Sequence, residues 1–323
     1  MAETTGGSVF GFLKKKKKKE KAIETHAPTE QSTDQTQWVT AHDAQGNEVK
    51  ISHTEWRTRV LPHNLQENWN DPDALYRIIL SAVDDGFAKD VVEAAAHLRA
   101  IDPIAERGVT MQGIVYLRVE EYVRAQTVLE QGIEALGESE VLLTNLAKAY
   151  DYQGLHARAE EILWRALEHN PNFDNAVAWY ASIQRERGGE KAYLHALERI
   201  AAIPGSWLPD LWLAKAHLQA GDAERALATY ADLVRQEDLT GEALMMISGD
   251  LGQCGYVEKI PQLLAPIYYP EQHGIYPGFN LLEAYIQLED KMAAEALLRK
   301  LRALDVPPVR QHVDAYEARV TAL

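Results

Sequence analysis

Across residues 140–171 apolar positions recur at i, i+3, i+4 and i+7, the run breaks once at Gly154, and it ends at Pro171. That pattern predicts two amphipathic helices joined by a short turn. Within "NLAKAY" and "GLHARAEEILWRALEHNP" small residues stand at Ala147, Ala159 and Ala166, and large ones at Tyr150 and Leu163. The same order of sizes, counted from Glu140, returns 34 residues earlier from Glu106 (Gly113, Tyr116, Ala125, Leu129) and again from Pro72 (Ile79, Ala82, Gly86, Ala95, Pro103). It continues from Asp174 (Ala181, Gly188, Leu197), slips by one residue, and resumes from Trp207 (Ala214, Gly221, Ala226, Tyr230). Copies from Gly241 (Ser248, Leu251, Gly255, Leu264) and Ile275 (Tyr285, Ala294, Leu298) complete seven consecutive phases. A fixed period of this length signals a repeat architecture.

The residue types have physical roles. Gly86, Gly154, Gly188, Gly221 and Gly255 fall where each first helix should stop, a place that favours a left-handed backbone. Small residues such as Ala147, Ala159, Ala181, Ala214 and Ala226 let paired helices approach closely, while Leu163, Leu197, Tyr230 and Leu264 fill the space between copies. Pro103 and Pro171 end second helices. One such pair has no way to bury its apolar face alone, so the copies stack on a shared core. Pro261 and Pro266 predict a kinked or shortened second helix in the copy from Gly241. Beyond Pro307 and Pro308, "VRQHVDAYEARVTAL" reads as one more helix that caps the open end.

This spacing resembles the tetratricopeptide repeat family over residues 72–308, most specifically in the copies from 106, 140 and 207. The resemblance implies an all-α, right-handed α-solenoid of about seven helix pairs, in which the first helix of each pair lines a concave face that binds peptides or helices. Carried over by phase, the groove positions give Tyr76, Arg107, Thr110, Ile114, Arg118, Thr144, Lys148, Tyr152, Asn175, Arg185, Lys215, Met245, Tyr276 and Phe279. Among them Arg107, Arg118, Lys148, Arg185 and Lys215 form a cationic track. Tyr76, Tyr152, Tyr276 and Phe279 offer anchoring area. Two readings stay open: the track holds an acidic or carboxylate-bearing peptide, or it pairs internally with carboxylates such as Asp151 and Glu186. Co-chaperones of this family hold a terminal carboxylate with Lys and Asn, then Asn, then Lys and Arg. Here Asn145 matches the middle element, but Thr110 and Ile114 precede it and Asn175 and Trp179 follow, so that clamp is absent in this register.

Residues 1–36 read as a disordered tail. From 37 to 71, "QWVTAHDAQGNEVKIS" predicts a β-hairpin turning at Asp43 to Asn47, followed by a helix capped by Ser52 or Thr54 and ending near Leu61. Trp38, Trp56 and Trp69 are expected to pack this module on the first repeat, with a docking patch as the alternative. The solenoid then occupies 72–308 and the cap 309–323.

Charge divides the chain. The net charge is −15, yet residues 1–21 carry seven lysines (Lys14, Lys15, Lys16, Lys17, Lys18, Lys19, Lys21) against two glutamates, which leaves −20 on the rest. The folded part should repel nucleic acid. The tail has three readings: a solvated segment, weak contact with an anionic membrane through Phe10, Phe12, Leu13 and the lysines, or polyanion binding. No apolar run is long enough to span a bilayer, and mean hydropathy is −0.31. A single cysteine, Cys254, excludes an intrachain disulfide and points to a reducing, cytoplasmic setting, with the cytoplasmic face of a membrane as the alternative. No phosphate-cradling loop, metal-ligand spacing or nucleophile–base pair emerges, so no cofactor or metal is expected. The expected function is a non-enzymatic scaffold or adaptor for a protein or peptide partner. A membrane or nucleoprotein adaptor positioned by the tail is the alternative, and an enzyme is the distant third.

Overall fold

The computed structural model describes residues 38–42, 48–235 and 239–323, which fall into two units, Met1–Trp56 and Arg57–Leu323. The lysine run and the hairpin turn at 43–47 lie outside the described residues. In the first unit β1 (Trp38–His42) pairs antiparallel with β2 (Glu48–Ser52), placing Trp38 opposite Ser52. Ser52 then caps α1 (His53–Glu55), its hydroxyl accepting the Glu55 backbone N–H at 3.2 Å.

The helix expected to end near Leu61 runs further. It passes through a π-helical turn, Trp56–Val60, into α2 (Leu61–Glu67). Pro62 does not stop it because it sits in the first turn of α2, where a missing N–H removes little, and Leu61 is buried beneath it.

The second unit repeats one motif. Helices α3 (Pro72–Asp84) and α4 (Val92–Ile101) form the first pair, α5 (Ala105–Arg118) and α6 (Tyr122–Leu136) the second, and α7 (Glu140–Tyr152) and α8 (His156–His169) the third. The fourth pair is α9 (Asp174–Ala201), broken by non-helical backbone at Gly188 and Gly189. There follow α10 (Leu208–Gln219) with α11 (Ala223–Leu233), and α12 (Gly241–Gln253) with α13 (Lys259–Leu264). After the short α14 (Pro270–His273) come α15 (Tyr276–Gln287) with α16 (Lys291–Ala303), and the capping α17 (Arg310–Thr321). Each first helix begins within a residue of its phase. The six-residue α13 is the shortened helix that Pro261 and Pro266 imply.

Close approach explains the small residues. Ala147, Ala181 and Ala214 have no exposed surface. At Gly113 an added Cβ would meet the Leu129 side chain at 2.9 Å, so nothing larger fits between α5 and α6. Leu163, Leu197, Tyr230 and Leu264 are fully buried between copies, each such side chain contributing about 1.5–3 kcal/mol of burial. Two apolar clusters meet at Trp207 and Trp212.

The two layers are unequal. Successive first helices pack on one another, α3 on α5, α5 on α7, α10 on α12, and α12 on α15, whereas no comparable packing joins α4 to α6, α6 to α8, α11 to α13 or α13 to α16. The first-helix layer is the one that the resemblance assigns to the concave, inner face.

The turns repeat more faithfully than the sequence. Gly86, Gly154, Gly221 and Gly255 have φ of 89°, 78°, 81° and 83°. In the fourth copy the left-handed residue is Gly189 (φ 68°), while Gly188 has φ −139°, a one-residue correction to the expected stop. In the copies from 106 and 275 the same place is held by Glu120 (φ 65°) and Glu289 (φ 57°). Both keep the closing bond across the turn, Glu121 N–H to Tyr116 O and Asp290 N–H to Tyr285 O, each at 2.9 Å, as Leu155 N–H to Tyr150 O does at 3.0 Å. Left-handed backbone strains any residue with a Cβ by about 1–2 kcal/mol. Glu120→Gly and Glu289→Gly should each raise the chemical-denaturation midpoint, by up to about 1 kcal/mol of stability, and Gly154→Ala should lower it by about as much.

Candidate functional site

The residues expected in the groove lie on the first helices of the copies, and the structure sorts the five cations among them into different states. Arg107 is locked: it forks onto Asp102 at 2.7 and 2.9 Å, reaches Asp73 at 2.7 Å, and lies 5.0 Å over the half-buried Tyr76 ring. The Asp102 side chain is fully buried, and the bond to it holds the guanidinium even more firmly protonated than usual. Arg185 pairs with Glu190 at 3.1 Å and covers the Tyr193 ring at 3.6 Å. Arg118 is exposed at the end of α5.

Lys148 and Lys215 are ninth in their copies and meet opposite surroundings. Lys215 Nζ donates to Asp250 Oδ1 at 2.7 Å, and Tyr230 OH donates to Oδ2 at 3.3 Å. Asp250, on the adjacent first helix, is 5% exposed. It stands tenth in its copy, where the other copies carry Ser81, Val115, Ala149, Ile183, Ala216 and Ala284. Burial beside this carboxylate drives the Tyr230 hydroxyl far above the ordinary tyrosine range.

Lys148 is half-buried on α7, and no hydrogen bond or ion pair among the described residues reaches it. Burial lowers its pKa below the ordinary lysine value, and the nearby Arg118 charge lowers it further. One turn earlier on the same face is Thr144, 2% exposed, whose hydroxyl has no partner; neither does that of Thr110, its equivalent on α5. The matching charge in the last copy, Glu283, is satisfied by Arg319 of α17 through bonds of 2.7 and 2.9 Å, which hold its carboxyl below the usual carboxylate range.

The aromatic positions also divide. Tyr152 is 53% and Tyr276 60% exposed, the former tilted against Tyr122 at 5.2 Å. Phe279 stacks on Tyr316 of α17 at 5.4 Å, so it anchors the cap, with Tyr276 at its edge. Asn145 is spent inside its helix, donating to Val141 O at 2.9 Å. Trp69 stacks on His97 at 4.3 Å within the solenoid unit. Away from the inner layer, a cleft of about 440 Å³ lies between α8 and α9, its Trp164 ring already covered by Arg199 at 4.5 Å. Among the described residues no three His, Cys, Asp or Glu side chains are placed to hold a metal, and no helix is long and apolar enough to cross a membrane. Asp250 and Ile183 escaped the sequence reading; the available signal was an acid at a position that is small or apolar in the other copies.

No family model and no curated protein sequence matches the chain. Some solved structures show a distant likeness. One is a tetratricopeptide repeat protein from Parabacteroides merdae, 12% identical, covering 77% of this chain and 98% of that one, TM-score 0.34. Another is YrrB, described as a tetratricopeptide protein with an unusual peptide-binding site, 17% identical over 62% of this chain and 98% of that one, TM-score 0.33. A third is the TPR2AB domain of yeast Sti1 in complex with an HSP90 peptide, 12% identical over 77% and 98%, TM-score 0.32. The 34-residue period and the paired helices of the chain itself define an α-solenoid of stacked helix pairs.

The two equivalent lysines should respond oppositely to the same change. Lys148→Met removes a half-buried charge without a counterion and should raise stability at neutral pH. Lys215→Met strands the Asp250 carboxylate and should lower it by about 1–2 kcal/mol. Because the folded-state pKa of Lys148 lies below the unfolded one, the unfolded chain binds more protons between the two values. The contribution of Lys148 to stability therefore rises as pH climbs through that alkaline window. Denaturation midpoints of wild type and Lys148→Met, taken from neutral to alkaline pH, should converge.

Proposed function

We propose that the chain is a non-enzymatic interaction scaffold whose inner layer holds an extended segment of a protein partner, acidic where it crosses α7. The observation that carries this reading is a set of large side chains left exposed at groove positions of three copies: Tyr152, Met245 (41% exposed) and Tyr276. Side chains of this kind serve as anchors in protein interfaces, filling apolar area while backbone and polar groups set the register of the segment. The acidic character follows from charge. Arg107, Arg185 and Lys215 are neutralised internally, so the positive charge offered to a ligand is that of Lys148 on α7. The rest of the surface, at −20 for the chain beyond residue 21, repels acidic chains and steers such a segment to that place.

Amide hydrogen exchange with and without a captured partner checks the location. Protection is expected on α5, α7, α12 and α15, the helices that bear these residues. Protection confined to α6, α8 and α11 would move the interface to the outer layer and overturn the reading.

A further inference from the structure

We infer that Lys148 is a receiving site for one oxyanion, a carboxylate or phosphate group carried by an extended segment on the inner layer. This rests on the scaffold reading and deepens it. The argument is a comparison between copies. Lys148 and Lys215 stand at the same place in the repeat, and a lysine there reaches the tenth residue of the next copy, as the Lys215–Asp250 bond of 2.7 Å demonstrates. For Lys148 that tenth residue is Ile183, half-buried in the apolar core.

The ammonium is thus held where the fold elsewhere supplies a carboxylate, and here supplies a hydrocarbon. A half-buried charge left in this state opposes folding, and an oxyanion arriving from outside replaces the missing carboxylate. Two further features belong to the same spot. Thr144, one turn earlier and 2% exposed, has a hydroxyl with no hydrogen-bond partner. The Arg118 charge lies close enough to act on Lys148. One turn later Tyr152 is exposed against Tyr122, so an apolar side chain next to the anion has a surface to rest on. The clamp register uses other residues, Thr110, Ile114, Asn145, Asn175 and Trp179.

The test gives Lys148 its counterion back. Full-length protein carrying ¹³C-methylated lysines is titrated with inorganic phosphate, with the peptide acetyl-Gly-Glu-Glu-Leu-Gly-amide, and with the same peptide bearing phosphoserine in place of the second glutamate. The Lys148 resonance is assigned by its loss in Lys148→Arg. A saturable shift of that resonance is expected, stronger for the peptides than for phosphate if the anion belongs to a side chain, and equal if the site takes the free ion. In Ile183→Asp, which copies the Lys215–Asp250 arrangement, affinity should fall about ten-fold or more, the worth of one charge-assisted hydrogen bond. Ile183→Asn, polar but uncharged, should retain binding. A Lys148 resonance that stays still with all three probes, or an Ile183→Asp protein that binds them as wild type does, would overturn the site. Should Ile183→Asp fail to fold, Lys148→Met serves in its place, and equal binding of a fluorescent phosphopeptide by Lys148→Met and wild type overturns it as well. A protein partner on the inner layer that is insensitive to Ile183→Asp removes the site and leaves the scaffold. Saturable binding of the probes with no partner footprint on that layer does the reverse.

Discussion

The solenoid depends on one sharp turn, made seven times, between the two helices of each copy. The turn needs a left-handed residue after the first helix and a hydrogen bond back across the last turn, and together these return the chain against its own first helix. Without that close return the small residues at Ala147, Ala181 and Ala214 would face open space, and the leucines between copies would have no partner surface. Glu120 and Glu289 adopt the same conformation with no glycine to ease it. Packing on both sides over-determines the geometry, and the backbone accepts the strain.

Once the helices are placed, the inner layer becomes a row of repeat-equivalent positions, and charge at those positions is managed by the neighbouring copy. Lys215 meets Asp250, and Glu283 meets Arg319 of the cap. These bonds join adjacent elements without occupying the apolar core, so they hold neighbours in register while the leucines supply most of the burial. Lys148 departs from that rule because its neighbour contributes Ile183.

How much of this was legible beforehand follows from the kind of interaction involved. The helix starts were legible to within a residue, because the period is set by apolar and small side chains whose burial is local and repeated. The shortened α13 was legible because proline acts on the backbone directly. The fourth turn was misplaced by one residue, from Gly188 to Gly189, because two adjacent glycines leave the choice to packing. The helix beyond β2 was read as ending near Leu61 and continues to Glu67, because Pro62 falls in the first turn of a new helical segment.

The sequence by itself determined the number of copies, their phase, and the division of each copy into two helices. It also determined which residues are equivalent from copy to copy, since that is a matter of counting along a fixed period. Only the tertiary structure decided which of those residues are paired with a neighbour. Arg107, Arg185 and Lys215 look alike in the sequence to Lys148, but their partners lie in other elements or across a break in the helix, and an ion pair is a property of distance and burial between two side chains. Composition counts charges; the fold alone determines which of them have already been neutralised.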